Sequence, residues 1–197
     1  MTDILTRPEL TLPESEAALL RDTYGAADTI LEYGSGGSTA LAAEMPGKTV
    51  FSVESDKDWA QMMRRWFTAN PPLAQSVDVI WSDIGPTKDW GHPADESEWR
   101  RWPRYALEVW GLPEFRQPDV VLVDGRFRIG CALATAFLST RPVTLLFDDY
   151  ANRTHYHRVR DFLGTPEITG RMGLFRVTPQ PIPPARLLQV VNSFLRP

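Results

Sequence analysis

Apolar runs of strand length recur along the chain at 29–33, 49–53, 77–81, 120–123 and 143–147, each ending beside a polar residue or a glycine. Between them, at 38–44, 56–68, 126–139 and 152–163, lie stretches of helical character. That alternation predicts an α/β Rossmann-like fold: an open, mostly parallel sheet, helices on both faces and right-handed crossovers. Pro13, Glu14, Ser15 and Glu16, followed by Ala17, Leu19 and Leu20, signal a helix before the first strand, with acidic residues in its first turn. Ile168 and the run 173–177 suggest a closing antiparallel pair.

Two regions break the rhythm. Residues 84–104 are polar and carry Pro86, Pro93 and Pro103 together with Trp90, Trp99 and Trp102. This reads as a long excursion after the third strand: either a lid over a bound acceptor or a satellite hydrophobic cluster pinning a loop. After a short proline run, Leu187, Leu188, Val190, Val191, Phe194 and Leu195 mark a C-terminal helix within 185–195. Its apolar face packs on its own domain or on a second copy of the chain, which would make a homodimer.

At 197 residues, 43% hydrophobic and 23% charged, the composition fits one folded domain, 1–197, with no disordered class in view. A net charge of −4 leaves no basic footprint, so nucleic acid is a disfavoured partner. Cys131 is the only cysteine, which excludes a disulfide framework and a cysteine zinc cluster and fits a reducing cytoplasm. No signal core and no run of roughly 18 apolar residues is present, so no membrane partner is expected.

The most informative segment is Ile30-Leu31-Glu32-Tyr33-Gly34-Ser35-Gly36-Gly37-Ser38-Thr39, a strand that ends in a glycine-rich turn and opens a helix. Glu54 closes the next strand 20 residues after Gly34, the interval at which a Rossmann-like unit places its acidic ribose ligand. A dinucleotide fingerprint, G-x-G-x-x-G, would require glycine where Thr39 stands, so NAD is the weaker cofactor reading. Glu32-x-Gly34-x-Gly36 instead resembles the acidic-x-Gly-x-Gly motif of class I S-adenosylmethionine-dependent methyltransferases, a likeness that extends over roughly 29–177. The resemblance implies that the loop of Glu32, Gly34, Ser35, Gly36 and Gly37 surrounds the methionine portion of S-adenosylmethionine. It further implies that Glu54 and Ser55 meet the ribose, and that Asp83 and Ile84, after the third strand, meet the adenine.

Ligands bind at the carboxyl ends of the strands in open α/β sheets, so Asp124, after the fourth strand, and Asp148 and Asp149, after the fifth, should face the reacting methyl. Three clustered carboxylates require protons or a cation, and an oxygen-rich site suits Mg2+ or another hard divalent ion. The layout resembles that of cation-dependent O-methyltransferases, except that Phe127 stands where catechol-type members carry a lysine. The bland alternative is that these acids cap helices or pair with Arg126 and Arg128, cations that oppose the dipole at a helix start. His155 and His157 follow the fifth strand closely enough for one of them to act as a base. The expected catalytic group is therefore Asp124, Asp149, His155 and Arg126, acting in direct methyl displacement onto an oxygen or nitrogen of a small-molecule acceptor. The rivals are a non-catalytic cofactor- or partner-binding module on the same fold and an NAD-linked oxidoreductase.

Overall fold

Strands buried at nearly every position belong where both faces are covered, and four such runs occupy the middle of a seven-stranded sheet. The structure is a computed structural model and describes residues 6–197. Its elements in chain order are α1 (Glu14–Gly25), β1 (Thr29–Tyr33), α2 (Gly37–Ala43), β2 (Thr49–Glu54), α3 (Lys57–Ala69) and β3 (Ser76–Trp81). A two-stranded hairpin follows, β4 (Thr87–Lys88) and β5 (His92–Pro93), then α4 (Pro103–Leu107), β6 (Val120–Val123), α5 (Arg128–Leu138) and β7 (Val143–Phe147). The chain continues through α6 (Arg160–Leu163), β8 (Glu167–Thr169), β9 (Met172–Val177) and α7 (Leu187–Ser193). The sheet order is β3-β2-β1-β6-β7-β9-β8, parallel except where β9 runs antiparallel to β7 and β8.

The two-residue period of the strands sorts their side chains onto two cores. Leu31, Tyr33, Phe51, Val53, Val121, Val123, Leu145 and Phe147 face a large cluster built with α4, α5 and α7. Ile30, Val50, Val120, Leu122 and Leu146 face a smaller one with Leu20 and Tyr24 of α1. α3 is capped by Asp56, whose side chain accepts from the Trp59 amide at 2.9 Å, an arrangement worth about 1 kcal/mol.

One local outcome differs from the periodicity, and two others fall among readings left open. The stretch 152–163 is not one α-helix but a 3-10 turn, Thr154–Val159, leading into the short α6. Tertiary contacts override propensity there: the Tyr156 ring packs 4.9 Å from Phe147, and His157 Nε2 lies 3.0 Å from the Tyr150 carbonyl oxygen. The tryptophan-rich excursion divides, with Trp102 buried in the core beside Phe127 and Trp90 88% exposed at the tip of the β4–β5 hairpin. α7 packs on its own domain, where Phe194 and the Ser193 carbonyl approach Gly130 of α5 so closely that a Cβ would meet them at 2.9 and 3.1 Å. Among the described residues, no helix is long and apolar enough to cross a membrane.

Candidate active site

The carboxyl ends of β1, β2, β6 and β7 open into one cavity of about 1030 Å³, at the upper end of the range for small-molecule sites, about 300 to 1,000 Å³. Gly34 leaves β1 with φ of +104°, and a Cβ on it would sit 2.8 Å from the Gly125 amide nitrogen. Gly125 is equally confined, since a Cβ there would meet the Tyr105 hydroxyl at 2.0 Å. Glycine at both positions lets the loops after β1 and β6 touch and form the floor of the cleft.

Three amides of the glycine loop are spent internally. Gly34 N donates to the Val53 carbonyl at 2.8 Å, Ser35 N to Glu54 Oε2 at 3.2 Å, and Gly36 N to Thr39 Oγ1 at 2.9 Å. Thr39, the residue that departs from the dinucleotide fingerprint, thus closes the turn on itself. Glu54 is buried at the cavity wall, and its Oε1 also accepts from the Ser55 and Asp56 amides at 2.7 and 2.8 Å. Burial pushes this carboxyl up while the three backbone donors pull it down, with a net rise. Oε2, with one donor, keeps capacity for a hydroxyl.

Glu32 does not reach the cavity, contrary to expectation. It is fully buried, accepting from the Tyr24 hydroxyl at 2.7 Å and from Thr39 Oγ1 at 2.5 Å, and so ties α1 and α2 to β1. Asp83 and Ile84 are not among the lining residues either. Asp83 pairs with Arg101 at 3.1 Å and accepts from the Gly85 amide, while Ile84 is a core side chain. The wall beyond Glu54 is supplied by Lys88, Asp89, Trp90, Gly91 and His92, held down where Ser55 Oγ donates to the Gly91 carbonyl at 2.8 Å. Trp90 adopts φ of +63°, a conformation disfavoured for a bulky residue.

The segment 8–12 also lines the cavity, which periodicity did not reveal. It runs over the glycine loop so tightly that a Cβ on Gly37 would lie 2.1 Å from the Glu9 carbonyl oxygen, and Arg7 anchors it to Glu44 at 2.7 Å. Trp59, with its indole nitrogen donating to the Ser35 carbonyl at 2.8 Å, completes that side.

At the other end stand Asp124, Asp148 and Asp149, brought together as expected, but a guanidinium sits among them. Arg128, 5% exposed, donates to the carbonyls of Gly125, Asp148 and Asp124 at 3.0, 2.7 and 2.8 Å. It lies 3.1 Å from the Asp124 carboxylate, 3.4 Å from that of Asp149 and 3.9 Å from that of Asp148. Arg171 pairs with Asp148 at 2.9 Å and Asp149 at 3.3 Å, and Arg153 with Asp149 at 2.9 Å. This donor set does not fit the expected divalent cation: the carboxylates already serve three arginines, and Arg128 occupies the centre that an ion would need. Among the described residues, no metal-binding group of three or more ligating side chains is present.

Burial pushes Asp124 up to about 7; the Arg128 charge opposes the rise, while the charge and hydrogen bond of Asp148 and the charge of Asp149 add to it. Burial also presses Asp148 upward, but the Arg171 hydrogen bond and the two guanidinium charges hold it below the ordinary carboxylate range. Phe127, in the lysine position of catechol-type enzymes, is fully buried with φ of +50°, so no amine reaches this end from there. His155 is exposed, packs with its ring tilted against Tyr156 at 4.2 Å and does not line the cavity, so it is not placed as a base. Its pKa is lowered by partial desolvation and by the charges of Arg153, Arg158 and Arg128. His157 is engaged with Tyr150.

No protein-family model matches the chain, and a comparison with curated proteins finds no match. Among solved structures, a methyltransferase-like protein from Silicibacter pomeroyi is 59% identical, with 97% of this chain and 99% of that one covered at a TM-score of 0.94. The O-methyltransferase TomG from Streptomyces achromogenes, involved in tomaymycin synthesis and solved with S-adenosylmethionine, is 16% identical over 86% of this chain and 82% of its own, with a TM-score of 0.56. An O-methyltransferase from Bacillus cereus, solved with S-adenosylhomocysteine, is 15% identical over 83% and 80%, with a TM-score of 0.53. The last two likenesses concern the fold alone.

Proposed function

This chain belongs to the class I S-adenosylmethionine-dependent methyltransferase superfamily, and on that premise we propose that it methylates a hydroxyl oxygen of a small-molecule acceptor, nitrogen being the second choice. The observation that carries the reading is the loop itself. Its amides at Gly34, Ser35 and Gly36 are internally bonded and so are turned away from a diphosphate, while the Glu54 carboxylate beside them keeps acceptor capacity on Oε2, which takes only the Ser35 amide. That pattern favours a nucleoside without phosphates over NAD or ATP.

In this reading the loop 34–37 and Asp124 border the amino-acid portion of S-adenosylmethionine, Glu54 and Ser55 hold its ribose, and residues 88–92 flank the base. When bound, the cofactor supplies a sulfonium methyl already activated for displacement. The protein's part is therefore alignment and proton removal. Asp124, its carboxyl at about 7, is suited to accept the proton of an acceptor hydroxyl near neutral pH. Asp149 is held by Arg128, Arg153 and Arg171 and lines the same end of the cavity, where it shapes the acceptor site. The large cavity supports simultaneous occupancy by cofactor and acceptor.

Thermal shift and calorimetry with S-adenosylmethionine, S-adenosylhomocysteine, NAD and ATP test this. The first two should stabilise the protein and the others should not. Glu54→Gln should weaken S-adenosylhomocysteine binding by roughly 10- to 100-fold, the value of a hydrogen bond to a charged group. Stabilisation by NAD but not by S-adenosylhomocysteine would end the proposal.

A further inference from the structure

The arginines at the β6–β7 end of the cavity outnumber their partners. Arg128, Arg153 and Arg171 are each in ion pairs with Asp124, Asp148 or Asp149. Arg126 lines the same end yet makes no ion pair among the described residues, and its Nε is buried without a hydrogen-bond partner. Its backbone is fixed: the amide donates to the Tyr105 hydroxyl at 3.4 Å, the carbonyl accepts from Cys131 Sγ at 3.4 Å, and the next residue, Phe127, is locked in the core. An arginine held at a cavity wall by rigid neighbours, with no carboxylate paired to it among the described residues, offers its charge to an anion in the cavity.

We propose, building on the methyltransferase reading, that Arg126 binds a carboxylate carried by the methyl acceptor, so that the substrate class is hydroxy acids rather than neutral phenols or alcohols. Charge decides for a monoanion. Four arginines face three aspartates at this end, which leaves one positive charge, and a single guanidinium matches a carboxylate with two parallel hydrogen bonds. A dianionic phosphate would face Asp124 with one charge uncompensated. Arg126 is two residues from Asp124, so one substrate can be held by its anion while its hydroxyl meets the base. Arg126 is thus a specificity-determining residue.

The test uses the full chain loaded with S-adenosylhomocysteine and titrated by calorimetry with 2-, 3- and 4-hydroxybenzoate and with the corresponding hydroxybenzamides, which match in shape and lack the charge. In the wild type at least one acid should bind at least tenfold tighter than its amide. Arg126→Gln should reduce that advantage below twofold, and Arg126→Lys should retain part of it. Cofactor and acceptor are separated by titrating S-adenosylhomocysteine and 5′-methylthioadenosine, which lacks the carboxylate, into the empty proteins. A tenfold loss confined to S-adenosylhomocysteine in Arg126→Gln would assign Arg126 to the cofactor's own carboxylate and overturn the inference. Equal binding of acids and amides by the wild type would overturn it as well. Failure of the wild type to bind S-adenosylhomocysteine would show in the first titration and would strike the methyltransferase reading itself, which the other two outcomes leave standing.

Discussion

Replacing Arg128 with methionine removes a guanidinium that three backbone carbonyls and three carboxylates share, while keeping a stem of similar length. Arg128 is only 5% exposed, so water cannot simply take its place. Breaking a buried ion pair by deleting one partner costs about 3–5 kcal/mol, and Arg128→Met should fall in that range, a large fraction of a typical domain's stability of about 5–15 kcal/mol. The loss should depend on pH, and its sign follows from Asp124. Its carboxyl is raised to about 7 in the folded protein, above its unfolded value of about 3.9, so the folded state binds the proton more tightly. That contribution to stability is complete below the unfolded value and is lost as pH rises through 7. Arg128 is the attraction that limits the rise, so without it the loss extends to higher pH, and the variant should suffer more at pH 8 than at pH 6. Urea unfolding at both pH values measures this. A change under about 1 kcal/mol, the size of an exposed pair, would refute the account of Arg128 as the site's central cation. So would a wild-type melting temperature that falls on treatment with a chelator and recovers with Mg2+.

Gly37→Ala should lift the segment 8–12 off the glycine loop, because a Cβ there meets the Glu9 backbone at 2.1 Å; the cost is about 1–3 kcal/mol, and faster hydrogen exchange at 9–12 with unchanged protection in β1 would identify the cause. Trp90→Gly should be neutral or stabilising by up to about 1 kcal/mol, since a left-handed bulky residue is relieved, yet it should weaken S-adenosylhomocysteine several-fold by calorimetry; unchanged affinity would remove Trp90 from the site. With an acceptor in hand, kcat/KM should rise through an apparent pKa near 7 as Asp124 ionises, and Asp124→Asn should abolish that limb; a limb surviving in the variant would point to another base.

The β-α-β rhythm was legible because its strands are buried on both faces, so local composition and tertiary position coincide at 29–33, 49–53, 120–123 and 143–147. Where they part, the reading failed. The helix expected over 152–163 broke because Tyr156 and His157 are drawn to Phe147 and Tyr150. The 20-residue interval led to Glu54 because one strand-helix-strand unit sets that distance. Glu32 misled for the opposite reason. Its motif position is local, but its side chain points at α1, where Tyr24 waits eight residues upstream, and nothing in the motif says which face of β1 it takes. Asp83 is likewise drawn off by Arg101 from an excursion whose path has no periodicity to follow. The strap at 8–12 left one indirect trace, a fourth consecutive small residue at Gly37 that helix propensity alone would not favour.

The acid cluster shows the same division at the level of charge. Asp124, Asp148 and Asp149 could be placed at adjacent strand ends from the sequence, since parallel neighbours β6 and β7 bring their ends side by side. Their counter-ion could be foreseen only in part. Arg128 is four residues beyond Asp124, and a side chain in the first turn of a helix leans back toward the preceding strand end, which is the local half of the argument. Arg171 comes from the turn between β8 and β9, and only the antiparallel return of β9 along β7 carries it to Asp148. Three carboxylates with one arginine would still have room for a cation, whereas with Arg153 and Arg171 added the charge is matched and the metal has no vacancy of charge to fill. Whether these carboxylates keep charge free for a cation therefore turns here on the closing hairpin, whose Arg171 is in direct contact with Asp148 and Asp149.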